Sequence, residues 1–209
     1  MNLIHCDHPI HGVELANKWC EETFRNSPGI FLPAGGTPES LYKVWSETRP
    51  SFLNHKVFYQ VDDVLNGPRK GEFWKFFEEH LPYHHQQIIG VEEPMKLNPP
   101  DVALLGLGVN GHVAFHEPSL PENFRYGCVE LESETRFYLG LPEGTWGVTY
   151  GLASFLSCKN ILIMVFGAHK REVLSKLLAG DTNLPASKLM THPGLTIIAD
   201  RAAIGSLAA

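Results

Sequence analysis

Four short stretches of this chain hold the side chains best suited to chemistry. The segment Gly106-Leu107-Gly108-Val109-Asn110-Gly111-His112-Val113-Ala114-Phe115-His116-Glu117-Pro118 presents an imidazole and a carboxylate on a glycine-rich turn. A carboxylate near a histidine orients the ring and raises its pKa, a pairing that suits proton transfer near neutral pH. Asp62-Asp63 ends the apolar run Val57-Phe58-Tyr59-Gln60-Val61. Side chains alternate along a strand, so two adjacent carboxylates cannot both point the same way. One can serve as a general base in a cleft while the other binds a backbone group or faces solvent. Pro33-Ala34-Gly35-Gly36-Thr37-Pro38 joins two glycines and a hydroxyl to a helix start, where unpaired amides and the helix dipole favour an anion. Lys170 and Arg136, each following an apolar run, are candidate phosphate clamps. Each stretch alone has a plainer reading: a capped helix, a solvated turn, surface cations.

Several rival chemistries fail on spacing. Gly106, Gly108 and Gly111 form a GxGxxG match after a strand, with Glu130 downstream, as in a dinucleotide fold. Pro118 follows too closely for the long crossover helix that fingerprint requires. His112 and His116 are four apart and could share a helix face with Glu117, but the HExxH order is missing and three ligands in so short a run are geometrically tight. No Gly-Lys-Ser/Thr follows Gly36, which disfavours a nucleoside triphosphate.

The elements that must position these groups are short apolar runs punctuated by Gly and Pro. Strands are expected at Gly29–Leu32, Val57–Val61, Val102–Leu105, Cys128–Glu132, Ile161–Phe166 and Leu195–Ile198. Helices are expected at Gly12–Phe24, Pro38–Glu47 (Thr37 as N-cap, Pro38 first), Gly71–Leu81, Val148–Leu156 and Ala168–Ala179, the last ended by Gly180. Continuous apolar strands alternating with helices predict an α/β fold with a mostly parallel sheet covered on both faces. Ligands bind such sheets beyond the carboxyl ends of the strands. Every polar stretch singled out here falls just after a strand.

Composition narrows the partners. The chain has 209 residues, 44% hydrophobic and 19% charged, and a formal net charge of −6. That allows a sizeable core in one domain spanning residues 1–209, and disfavours non-specific nucleic-acid binding. No basic and apolar leader precedes His11, and no apolar run approaches the ~20 residues of a membrane helix, so a cytoplasmic protein is expected. Cys6, Cys20, Cys128 and Cys158 lack metal-like spacing and read as buried free thiols. His80, His84 and His85 read as exposed and silent.

Four blocks in this order resemble the glucosamine-6-phosphate deaminase/isomerase and 6-phosphogluconolactonase family: Leu32 to Pro38, Val61-Asp62-Asp63, Leu104 to Pro118, and Gly167 to Lys170 with Pro185-Ala186-Ser187. Gly-His-Val-Ala-Phe-His-Glu-Pro is similar to the deaminase version of the third block, in which Asn stands where this chain has His116. The resemblance implies a Rossmann-like, doubly wound, mostly parallel sheet with helices on both faces, and a small-molecule sugar 6-phosphate as substrate. It implies that Gly35, Gly36 and Thr37 receive the phosphate, helped by Lys170 and Arg136, with Asp63 among the binding residues. Asp62 would remove the C2 proton of the open-chain aldose, and His112 and Glu117 would help open the ring, with Asn110 beside them. An enolamine, protonation at C1 and loss of ammonia would leave a ketose phosphate. No metal or organic cofactor is implied. The chain departs from the family in three places. Asn110 stands for the Asp before Gly-His and should leave His112 less basic; His116 adds a titrating group; and the segment between Leu81 and Asp101 is short. Lactone hydrolysis with His112 activating water, and sugar-phosphate sensing without turnover, are the alternative readings.

Overall fold

Runs such as Ile30–Leu32, Val102–Leu105 and Ile161–Val165 are apolar at every position, which suits only strands covered on both faces. The computed structural model, which describes residues 1–92 and 100–205, places them at the centre of a sheet. In chain order the elements are β1 (Asn2–Cys6), α1 (Pro9–Phe24), β2 (Gly29–Leu32), α2 (Gly36–Thr48), β3 (Val57–Gln60), β4 (Asp62–Val64), α3 (Glu72–His80), β5 (Ile88–Ile89), β6 (Val102–Gly106), β7 (Tyr126–Glu130), α4 (Ser133–Leu139), β8 (Trp146–Tyr150), α5 (Leu152–Phe155), β9 (Asn160–Val165), α6 (Arg171–Leu178), β10 (Leu195–Asp200) and α7 (Arg201–Ile204).

Seven strands form one sheet in the order β1-β10-β9-β6-β2-β3-β5, and every neighbouring pair is parallel. The pleat divides each central strand between two cores. Ile30, Leu32, Val102, Leu104, Leu162 and Met164 pack with Ala16, Cys20 and Phe24 of α1, Leu41, Tyr42 and Trp45 of α2 and Phe77 of α3. Phe31, Ala103, Leu105, Ile161, Ile163 and Val165 face the other way, onto Val173, Leu174 and Leu177 of α6 and onto Leu152 and Phe155 of α5. The fold is therefore a mostly parallel, doubly wound α/β sheet with helices on both faces. Chain order reverses between β2, which leads on to β3, and β6, which returns on β2's other side. In such sheets the crevice outside that switch point is where ligands bind.

A second sheet, β4-β8-β7, is antiparallel and lies beyond the carboxyl end of β3. It corrects the helix expected over Val148–Leu156. Trp146-Gly147-Val148-Thr149-Tyr150 is rich in aromatic and β-branched residues and pairs with β4, Asp62 opposite Thr149, before Gly151 releases the chain into α5. The expected start of α2 also shifts. Gly35, at φ 102°, is the N-cap, and no side chain caps the helix, so Thr37 lies inside the first turn with its hydroxyl free of capping. Cys6, Cys20 and Cys158 are buried free thiols, but Cys128 is exposed because it sits on β7 at the outer edge of the small sheet. His84 is buried against Phe58, with Nδ1 2.8 Å from Gln87 Oε1, and His85 stacks edge-on against Trp74, so neither is the exposed residue expected. Residues 93–99 of the short connection before Asp101 lie outside the described residues. No helix among the described residues is long and apolar enough to cross a membrane.

The end of β10 ties the sheet to the loop after β9. Asp200 is buried, and its Oδ1 accepts hydrogen bonds from the amides of Ala203 (2.8 Å) and Gly167 (3.0 Å). Asp200→Ala strands both amides, and each hydrogen bond to a charged group contributes about 1.5–3 kcal/mol. A loss of about 3 kcal/mol in urea unfolding is expected; a loss under about 1 kcal/mol would show that the two bonds are not the anchor of this loop.

Candidate active site

Four adjacent strands, β9, β6, β2 and β3, end on one cavity of about 520 Å³. A cavity of this size accommodates a phosphorylated sugar. Its wall is built from the turn after β2 (Pro33 to Pro38), Asp62, the loop after β6 (Gly106 to Val109, His112, Ala114 and Phe115) and the turn after β9 (Phe166, His169 and Lys170).

One end is fitted for an anion. A Cβ added at Gly35 or Gly36 would meet nothing within 4 Å, so the backbone there faces open space. Gly35 is glycine because its φ of 102° is closed to L side chains at low energy. The amides that open α2 point toward this space, and the Thr37 hydroxyl lies beside Gly106, whose added Cβ would come within 3.8 Å of Thr37 Oγ1. Lys170 is only 6% exposed and has no salt-bridge partner among the described residues. Burial lowers its pKa to about 8, and its ammonium lies 5.4 Å over the Tyr138 ring. An unpaired buried cation is costly unless a ligand supplies the counter-charge.

The candidate acid–base groups lie on the same wall. Asp62 is 6% exposed, and burial, then the neighbouring Asp63, pushes its pKa well above the usual carboxylate range. His112 is held neutral, with its pKa lowered to about 4 by burial first and the Lys170 charge second. The imidazole packs over Gly108, where an added Cβ would fall 2.3 Å from Nε2, so any larger residue there would displace the ring. Behind the ring, Glu117 is 1% exposed; its Oε2 lies 3.7 Å from His112 Nδ1 and accepts a 3.1 Å hydrogen bond from Asn110 Nδ2. Burial raises the Glu117 pKa, and hydrogen bonding from Thr135 and Asn110 pulls it back.

Gly35, Gly36, Thr37, Asp62, His112 and Lys170 thus share one cavity, whereas the other candidates do not line it. The Asp63 carboxylate, expected to bind substrate, is consumed by the chain: the amides of Val64 (2.7 Å), Phe73 (3.1 Å) and Trp74 (3.0 Å) and the Gln60 side-chain amide (2.9 Å) all donate to it. Arg136 does not line the cavity; its guanidinium donates to the Leu131 carbonyl. Asn110 acts behind the wall: its Oδ1 accepts from the His112 amide at 3.2 Å while its Nδ2 holds Glu117. Glu117 reaches the cavity only through His112. His116 is buried outside it, with Nδ1 accepting from the Leu152 amide at 3.2 Å and burial lowering its pKa to about 4. The GxGxxG segment runs on into a loop rather than a helix. Sequence reasoning missed Arg69, Thr135, Tyr138 and His169, all in the wall. Arg69 is held by Glu72 and donates to the Leu139 carbonyl, tying the β4–α3 loop to α4.

The Asp62 shift has a testable sign. Burial favours its protonated form, so between about pH 4, where an unfolded Asp loses its proton, and the higher native pKa the native state binds more protons. This contribution to stability is lost as pH rises through that window. Asp62→Asn should therefore be more stable than wild type at pH 8, with the difference vanishing near pH 3. Urea midpoints across this range measure it; a variant no more stable at pH 8 would contradict a buried, strained carboxylate.

Residues 75–198 match the family described as glucosamine-6-phosphate isomerases/6-phosphogluconolactonase. The glucosamine-6-phosphate deaminase of Bacillus cereus (strain G9842) is 30% identical over 234 aligned positions, covering 98% of this chain and 88% of the relative. That of Leuconostoc citreum (strain KM20) is 30% identical over 239 positions, covering 99% and 100%. Among solved structures, a monomeric glucosamine-6-phosphate deaminase superposes with TM-score 0.81 at 24% identity, covering 97% of this chain and 98% of its own. The 6-phosphogluconolactonase of Leishmania guyanensis superposes with TM-score 0.77 at 16% identity over 100% and 99%. The chain belongs to the family of glucosamine-6-phosphate isomerases and 6-phosphogluconolactonases.

Proposed function

We propose that this protein is a cytoplasmic deaminating aldose–ketose isomerase that converts an amino-sugar 6-phosphate, glucosamine 6-phosphate or its close analogue, into a ketose 6-phosphate and ammonia. The observation that carries this reading is Asp62, a buried carboxylate of raised pKa facing the same cavity as the anion cradle and the neutral imidazole. A strong base at this place is needed only where a C–H bond breaks. The deaminase names of the relatives support the same choice.

In this mechanism the phosphate takes the amides of Gly35 and Gly36, the Thr37 hydroxyl and the Lys170 ammonium. Neutral His112 accepts the O1 proton as the C1–O5 bond breaks and returns a proton to O5, leaving the open-chain aldehyde. Asp62 removes the C2 proton as a proton drawn from solvent reaches O1, and an enolamine forms. The proton on Asp62 is delivered to C1, giving a C2 iminium. Water adds there and the nitrogen leaves as ammonium, carrying a charge equal to the proton taken up at O1, so the ketose phosphate forms with Asp62 ionised again. A desolvated carboxylate is a stronger base than one in water, and the apolar wall around Asp62 serves that end.

Lactone hydrolysis is the second reading, favoured by the neutral His112 at the cavity wall. There the imidazole activates water against a C1 carbonyl and Asp62 has no proton to move. One substitution separates the two. Asp62→Asn is expected to lower ammonia release from glucosamine 6-phosphate by about 10²–10⁴-fold. Fast hydrolysis of 6-phosphogluconolactone that survives Asp62→Asn, with no ammonia from the amino sugar, would establish the lactonase reading instead. Hexose 6-phosphate binding by calorimetry with no product from either substrate would leave a sensor.

The phosphate end gives an independent check. Lys170→Met should raise KM by at least about tenfold, the loss of one charged hydrogen bond, with a smaller change in kcat. In wild type, KM should climb above about pH 8, where free Lys170 loses its proton. A KM indifferent to both changes would remove Lys170 from the phosphate site.

A further inference from the structure

We propose that Thr135 is a positioning residue: its hydroxyl accepts the Nδ1–H of His112, donates to Glu117, and so fixes the histidine tautomer that leaves Nε2 free as the base. This rests on the reading of His112 as the acid–base group. Its geometry is independent of the substrate.

Thr135 is buried on the first turn of α4 and lines the cavity beside His112. Its Oγ1 is 3.3 Å from His112 Nδ1, within hydrogen-bond reach, whereas Glu117 Oε2 at 3.7 Å is beyond it. Glu117 therefore does not grip the ring directly. Its Oε2 is taken by Asn110 Nδ2, and its Oε1 is buried without a close hydrogen bond. The Thr135 hydroxyl and the Glu132 amide approach the carboxylate more loosely.

Donor and acceptor counting then fixes the direction. A hydroxyl has one proton and two lone pairs, and an ionised carboxylate only accepts. If the Thr135 proton goes to Glu117, its lone pair faces Nδ1, which must then carry hydrogen. The opposite orientation would point the only hydroxyl proton at the ring and leave Glu117 with one donor fewer in a dry site. Asn110 serves elsewhere: its Oδ1 accepts from the His112 backbone amide and its Nδ2 donates to Glu117. With Nδ1 protonated, Nε2 presents its lone pair beside Gly108. When Nε2 takes a proton, the imidazolium is stabilised through Thr135 by Glu117, and Lys170 opposes it from the cavity side. The charged or titratable groups acting on this ring are thus Glu117 and Lys170, with Glu132 acting in turn on Glu117. Thr135 also joins α4 to the relay, so the helix that closes one cavity wall assembles the base.

The direct test is the side-chain nitrogen NMR of His112 in the free, full-length protein and in Thr135→Ser and Thr135→Val, with thermal unfolding of each. The expected result is the Nδ1–H tautomer in wild type and Thr135→Ser, and its loss to Nε2–H or a mixture in Thr135→Val. An Nε2–H tautomer in wild type, or an unchanged tautomer in Thr135→Val, overturns the proposal. Kinetics on glucosamine 6-phosphate supply the second arm. Thr135→Val should lower kcat by at least about tenfold, a fraction of the span of general acid–base catalysis, with KM nearly unchanged and the pH profile shifted. Thr135→Ser should retain most activity. Equal losses in Ser and Val variants of matched melting temperature would show a packing role and overturn it. If no form releases ammonia, the proposed function fails while the NMR arm still decides the relay.

Discussion

The cavity depends on one carboxylate that never meets it. Asp63 gathers three backbone amides and the Gln60 side chain at the point where β3 has just ended and the chain must turn. Two of those amides, from Phe73 and Trp74, open α3, a helix whose N-cap is a glycine with no side-chain cap of its own. Asp63 is therefore the cap of a helix ten residues further along, supplied from outside it. By alternation along β4, a side chain held that firmly on one face forces its neighbour onto the other. Asp62 faces the cavity because Asp63 faces α3. The arrangement also raises the energy of ionised Asp62, since burial and then the like charge of the carboxylate beside it oppose its ionisation.

The electrostatics of the site share this logic of incomplete pairing. Lys170 is buried with no anion beside it, Asp62 is buried with a like charge beside it, and Glu117 keeps an oxygen without a close partner. Each would be a defect in a core. Lys170 and Asp62 together line one cavity with a buried cation and a buried carboxylate. The net charge of −6 would repel a phosphate dianion in general, so the cradle must act locally. In the proposed reading the amides at Gly35 and Gly36, which face open space, would do this at short range, where bulk charge matters least.

The sheet was legible in the sequence because parallel strands leave an unambiguous trace: runs apolar at every position, each ending on Gly, Pro or Asp. The site was legible for the same reason, since Gly35, Asp62, His112 and Lys170 each follow such a run. What escaped depends on contacts distant in the chain. Val148–Leu156 carries an apolar spacing that a helix accepts equally well, and only pairing with β4 and β7 makes its first part a strand. Arg69 and Thr135 follow no apolar strand of the main sheet, so nothing local marks them; folding α4 over the cavity brings both to it. Arg136 is a candidate because it follows an apolar run and by the family resemblance, but in the fold its guanidinium donates to the Leu131 carbonyl and does not line the cavity. His84 is buried because the packing of Phe58 and Gln87 at the sheet edge encloses a ring that composition would put outside.

Asn110, the departure from the family pattern nearest the chemistry, acquires a physical meaning from the same network. The low basicity of His112 in this chain comes from burial first and Lys170 second. The amide of Asn110 does not touch the ring; it donates to Glu117 Oε2 at 3.1 Å. An aspartate in that rotamer would set a second carboxylate against Glu117 in a place with little water, and one of the two would have to hold a proton. The amide avoids that conflict and leaves a single ionised carboxylate to serve the imidazole. With an amide at position 110, Glu117 is the carboxylate beside the imidazole, 3.7 Å from Nδ1, and the Thr135 hydroxyl lies closer to that nitrogen at 3.3 Å.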